Sequence, residues 1–131
     1  INPETMSENE LAKTIVNTAF YIHKALGPGL FESVYEEMMA YELSRQGLHV
    51  QRQKEVPVIW EGQKLALGFR ADLIIEEKVI IELKSIEKIA PVHFKQLLTY
   101  LELTDIRLGL LINFQNALIK DGISRVVNNL Y

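Results

Sequence analysis

The chain has 131 residues, 48% of them hydrophobic, with a formal net charge of −3 and no cysteine. That apolar share suits a globular chain rather than a disordered one, and the missing thiols exclude disulfides and thiolate metal sites. The acidic balance argues against tight electrostatic capture of a polyanion, since the basic residues are scattered apart from a loose grouping at Arg45, Arg52 and Lys54.

No apolar run approaches the roughly 20 residues that cross a bilayer. The polar, acidic start INPETMSENE has the character of neither a signal nor a transit peptide. With no repeat, low-complexity tract or linker, the expectation is a cytoplasmic, membrane-free protein folded as one domain over residues 1–131.

Helical spacing begins in SENELAKTIVNTAFYIHKALG, where Leu11, Ile15, Ala19, Ile22 and Leu26 recur on one face. Ser7 and Glu10 have the form of a capping box, and Gly27 is a stop. GPG at 27–29 turns the chain. A second helix is expected from about Phe31 to Gln46, with Gly47 as its punctuation. Glu32 shares a face with Tyr35, Met39 and Leu43, and so falls on the stripe expected to face the core.

From His49 the period becomes two. HVQRQKEVPVIW reads as a strand, with Pro57 favouring an edge or bulge and Trp60 read as a packing residue of the sheet face. LALGFRADLII and VIIELKSI follow as strands across the turns EGQK and EEK, the acidic turn Glu76-Glu77 being read as merely solvated. Pro91 opens a helix, PVHFKQLLTYLELT, whose core stripe is Phe94, Leu97, Leu98 and Leu101. RLGLLINF reads as a strand covered on both faces. The tail DGISRVVNNLY is expected to close the chain as a short helix. The fold class is α/β: an αα-βββ-α-β order, with a mixed sheet flanked by helices.

The charged residues of GFRADLIIEEKVIIELKS need an explanation, because burying unpartnered charge is expensive. A hairpin through Glu76-Glu77-Lys78 sets Ile75 against Val79, Ile74 against Ile80 and Asp72 against Glu82. One face then carries Arg70, Asp72, Ile74, Ile80, Glu82 and Lys84. The reverse face is apolar: Phe69, Ala71, Leu73, Ile75, Val79, Ile81 and Leu83. Opposed carboxylates sit about 5 Å apart at Cβ and repel. A basic neighbour, a proton or a divalent cation must offset that repulsion. A hard cation such as Mg²⁺ takes oxygen ligands and keeps several waters; Asp72 and Glu82 suit it, with the Leu83 carbonyl also in range. Lys84 on the same face would stabilise developing negative charge or help to position or deprotonate a water. The alternative is a solvated face, with Arg70–Asp72 and Glu82–Lys84 as surface pairs.

Asp, some ten residues, then Glu-x-Lys on adjacent strands resembles the PD-(D/E)XK nuclease superfamily, although Ala71 stands where the proline of that name would be. GLFESVY, through Gly29, Glu32 and Tyr35, is similar to the motif of the GxxExxY protein family. The likeness extends through HKALGPGLFESVYEEMMAYEL, FRADLIIEEKVIIELKSIE, VHFKQLLTYL, RLGLLINF and KDGISRVVN. The resemblance implies a restriction-endonuclease-like fold and a Mg²⁺- or Mn²⁺-dependent hydrolase. Glu32 would complete a metal set with Asp72 and Glu82, and Tyr35 would support it; the alternative for Glu32 is a helix N-terminal carboxylate favoured by the dipole. Gln96 and Tyr100 lie one helical turn apart, as in the helix motif of RecB-type nucleases, which implies that Gln96 organises the active centre. The alternative for Tyr100 is packing. His93, just before them, is a supporting donor or a surface residue; His23 and His49 have no metal-ligand spacing.

The leading expectation is therefore metal-dependent cleavage of nucleic-acid phosphodiesters by Asp72, Glu82, Lys84 and Gln96. A second is a binding module that keeps the nuclease fold without catalysis or needs a partner. A third is a hydrolase of small nucleotides. A homodimer would pool basic residues around two sites.

Overall fold

The two N-terminal helices form where the apolar spacing places them. The computed structural model describes residues 2–130, the side chain of Leu67 excepted. Helix α1 (Glu8–Leu26) starts in a reciprocal cap: Glu10 N–H donates to Ser7 Oγ at 3.1 Å, and Ser7 N–H donates to the Glu10 carboxylate at 3.0 Å. Those bonds hold the Glu10 carboxyl below its ordinary range. Gly27 ends the helix with φ 70°. Helix α2 (Glu32–Arg45) follows, and Gly47 turns the chain away beyond it at φ 88°.

The strands are β1 (Val50–Trp60), β2 (Gln63–Ile75), β3 (Val79–Lys84), β4 (Leu108–Asn113) and β5 (Ile123–Val127). They form one five-stranded sheet in the order β1-β2-β3-β4-β5. Only β3 and β4 run parallel; helix α3 (Pro91–Thr104) supplies the crossover that a parallel pair requires. Leu11, Ile15 and Ile22 of α1 and Tyr35, Met39 and Leu43 of α2 bury one sheet face with Leu73, Ile75, Val79, Ile81 and Leu83. Leu97 and Leu101 of α3 bury the other against Ile74, Ile80 and Leu111. All six residues of β4 are buried, as expected for a strand between two helical layers. At Gly109 a Cβ would come within 2.9 Å of the Leu97 side chain, so α3 lies close on β4.

The tail differs from its helical expectation. After a short 3-10 turn at Ile119–Gly122, Ile123–Val127 is a strand, antiparallel to β4. The β-branched run favours extended backbone, and β5 covers an edge that β4 would otherwise leave unpaired. Three smaller corrections concern side chains. Trp60 is 65% exposed at the hairpin tip, because β1 and β2 run on past the short β3 and meet no second layer there. Glu76 is more than a solvated turn residue, since its carboxylate accepts the His49 N–H at the start of β1. Phe94 and Leu98 lie on the exposed margin of the α3 stripe rather than within it. Pro57 sits on the edge strand β1 beside the register shift between Pro57 and Ile59. Among the described residues no helix is long and apolar enough to cross a membrane.

Candidate active site

The β2–β3 ladder follows the expected register through Ile75–Val79, Ile74–Ile80 and Leu73–Ile81, and then the strands part. Side chains take over the hydrogen bonds that the ladder gives up. Leu83 N–H donates to Asp72 Oδ2 at 2.9 Å, and Asp72 N–H reaches Glu82 Oε1 at 3.4 Å. Asp72 and Glu82 thus face one another across an opening hairpin. Both are half-buried.

Face alternation along β2 also changes at this point. Phe69 and Ala71 pack on the α3 side with Ile74 and Ile80, rather than with Leu73 and Ile75. The cause is a local irregularity: Gln53 and Asp72 are absent from the β1–β2 pairing, and Gln53 has φ 46°. The expected sorting of charge and apolar residues therefore holds from Leu73 to Leu83 and fails before Asp72.

Lys84 follows Glu82 on the same strand, and β3 continues to pair with β4 as far as Lys84–Asn113. The Phe114 N–H donates to the Lys84 carbonyl at 2.9 Å. Buried Asn113 clasps the next loop, accepting the Ile86 N–H at 3.1 Å and donating to the Ile86 carbonyl at 2.8 Å. The backbone of Lys84 is thus fixed, while its amine has no ion-pair partner among the described residues. Among the described residues the ion pairs are Glu42–Arg45, Glu36–Arg52 and Glu55–Arg70. Arg70 answers its β1 neighbour rather than Asp72. Neither Arg70–Asp72 nor Glu82–Lys84 is among the ion pairs of the described residues.

Tyr35 is fully buried and stacks on Phe114 at 4.2 Å between centroids. Its hydroxyl donates to the Gly27 carbonyl at 2.6 Å and accepts the Leu30 N–H at 3.2 Å, which fixes the loop between α1 and α2. Ser85 Oγ donates to the Leu30 carbonyl at 2.7 Å, so this loop is fastened beside the end of β3. Glu32 is exposed, off the buried stripe on which its spacing places it. The start of α2 overhangs the core, as the 83% exposure of neighbouring Phe31 shows.

The buried carboxylate of α2 lies one turn later, at Glu36. It accepts from Arg52 at 3.1 Å and from the Gln53 amide, which also donates to Asp72 Oδ1 at 3.2 Å. Glu36 and Gln53 escape sequence reasoning. A Glu beside a core stripe reads as solvated, and a Gln in an alternating strand gives no sign of leaving the ladder.

On α3, Tyr100 stacks on Phe69 at 3.7 Å. Burial raises its phenol pKa, and the nearby charges of Glu82 and Asp72 raise it further. Gln96 is exposed and has no hydrogen bond to Asp72, Glu82 or Lys84 among the described contacts. His93 Nδ1 accepts the Ala90 N–H at 2.9 Å and so caps the start of α3. His23 is a core histidine, its Nε2 2.9 Å from the Asn116 carbonyl oxygen.

Burial, and after it the adjacent Asp72, lift the Glu82 carboxyl from 4.5 to about 9, with Lys84 opposing weakly. At neutral pH and without a cation, Glu82 holds a proton. That is one of the three ways to offset the repulsion, and a divalent cation is a direct substitute for it. The donor set is oxygen only, which suits a hard cation. No group of three or more His, Cys, Asp or Glu converges among the described residues, so Glu32 does not join the pair here. Two carboxylates still suffice for Mg²⁺, which keeps several waters and leans on substrate phosphates. A surface groove of about 430 Å³ runs along the outer hairpin past Lys64 and Arg70 and includes neither Asp72 nor Glu82.

Searches of curated proteins and of solved structures give no match. A family model of the PD-(D/E)XK nuclease superfamily matches residues 9–126. Because that match runs from α1 into β5 and takes in the split hairpin, the chain belongs to the PD-(D/E)XK nuclease superfamily.

Proposed function

We propose that this chain is a divalent-metal-dependent nuclease that hydrolyses phosphodiester bonds of DNA or RNA. The observation that carries this reading is the parted hairpin, where Asp72 and Glu82 meet and Lys84 follows two residues on along β3. Asp72 and Glu82 would hold Mg²⁺ or Mn²⁺. Such a cation polarises a phosphoryl oxygen and lowers the pKa of water. Lys84 would place its ammonium against the charge that grows on the phosphoryl group, or steer the attacking water. Glu32 would approach from the start of α2, which follows the loop fastened to Ser85, and Gln96 would orient Lys84 or the water from α3. Tyr100 would close the α3 side of the site.

Titration calorimetry with Mn²⁺ tests this reading. The wild-type chain is expected to bind one ion per site, and Asp72→Asn is expected to weaken binding by about tenfold or more. Wild-type protein that takes up no Mn²⁺, or Asp72→Asn that binds equally well, contradicts it.

The net charge of −3 favours a second reading: a binding module on the same fold, inactive or dependent on a partner, because steering of a polyanion is poor. A homodimer would bring more basic residues to each site. Mn²⁺ binding without cleavage of any DNA or RNA supports this second reading over the first.

A further inference from the structure

Gln53 lies within β1 but outside its pairing. The ladder with β2 runs through Arg52–Leu73, resumes at Lys54–Ala71, and omits Gln53 and Asp72. Its φ of 46° falls in the left-handed region that side chains other than Asn, Asp and His seldom adopt. A residue held there strains the backbone and persists only when its surroundings fix it.

What fixes Gln53 is its amide. The single Nε2 donates to Glu36 and, at 3.2 Å, to Asp72 Oδ1. Glu36 is buried and pinned from its other oxygen by Arg52 at 3.1 Å, so it is a firm anchor. Hydrogen bonds to carboxylates are stronger than neutral ones. Glutamine suits this position: it is long enough to reach out of the ladder, carries two hydrogens on one nitrogen, and adds no charge between two acids. Asp72 thereby has both oxygens engaged, Oδ1 by Gln53 and Oδ2 by the Leu83 N–H at 2.9 Å.

We infer that Gln53 is a positioning residue for the carboxylate site: tethered to Glu36, it sets the orientation of the Asp72 carboxylate. Its effect on cation binding rests on the nuclease reading above. Its hold on Asp72 does not, and the two are tested separately.

The experiment compares Gln53→Met, which keeps length and backbone strain without the donor, with Gln53→Gly, which removes the donor and relieves the strain. Three quantities are read: the Leu83 amide resonance by NMR, Mn²⁺ affinity by calorimetry, and thermal stability. Both substitutions are expected to move the Leu83 amide upfield and to weaken Mn²⁺ binding alike, by about tenfold. Stability should diverge, with the glycine variant melting higher. A purely structural role predicts instead that the Leu83 shift and affinity follow stability, with the glycine variant less affected. That result overturns the inference, as does a Leu83 resonance unmoved in both variants. Wild-type protein that binds no Mn²⁺ removes the nuclease reading, and the Leu83 resonance then decides the role of Gln53 alone.

Discussion

Lys84→Ala is expected to lower Mn²⁺-dependent cleavage of DNA or RNA by about 10²–10³-fold, the range for removing one preorganised group that stabilises transition-state charge. The fold should survive the substitution. Lys84 sits at the end of β3, where its backbone is held by the pairing with Asn113 and by the Phe114 N–H, and neither contact uses the side chain. Its amine has no ion-pair partner among the described residues, so its removal leaves no orphaned carboxylate. Mn²⁺ affinity should stay near the wild-type value, because the ligands are Asp72 and Glu82. The expected pattern is thus lost turnover with retained cation binding and an unchanged melting temperature. Cleavage that persists at the wild-type rate in Lys84→Ala removes Lys84 from the mechanism.

Glu82→Gln is expected to stabilise the metal-free protein at neutral and alkaline pH, although it destroys the site. The Glu82 carboxyl titrates near 4.5 in an ordinary setting and near 9 in the fold, where burial and then Asp72 disfavour its charge. Between those values the native state holds a proton that the unfolded chain has released. Stability therefore falls as pH rises through this window, by up to about 1.4 kcal/mol per pH unit. The contribution of Glu82 is fully present below pH 4.5 and lost above about 9. Glutamine mimics the protonated acid: its carbonyl accepts the Asp72 N–H and its amide has no proton to lose. Denaturant melts at pH 8 without metal should place Glu82→Gln above wild type by on the order of 3 kcal/mol, with the slope against pH flattened. Saturating Mn²⁺ should reverse the order, since a ligand bound only by the native state stabilises wild type and not the variant. A variant that loses stability at pH 8 without metal contradicts the protonated state assigned to Glu82.

Much of this architecture is legible in the sequence because particular residues leave little choice. Ser7 and Glu10 satisfy each other's backbone donors, and Gly27 and Gly47 end helices with the positive φ that glycine permits. The register of Leu73–Ile75 with Val79–Ile81 follows from period-two hydrophobicity across a short turn, since a slip by one residue would turn Leu73 and Ile81 away from the α1–α2 core. Asp72, Glu82 and Lys84 stand out because charge within such a run demands a reason.

What the sequence hides depends on breaks in regularity. The parting of β2 and β3 before Asp72, and the excursion of Gln53, come from side chains replacing ladder bonds, and no periodic pattern encodes that exchange. Glu32 and Glu36 lie one turn apart on α2, and their helical spacing alone does not reveal that the core ends between them. The tail has too few residues for its period to separate helix from strand, and the open edge of β4 decides the matter.

The most direct measurement is anomalous diffraction from crystals soaked in Mn²⁺ at pH 8. A single peak within coordination distance of both the Asp72 and Glu82 carboxylates, lost in Glu82→Gln, is the expected result. Density with no peak between these two side chains, or an ion held elsewhere on the chain, contradicts a shared cation at the parted hairpin.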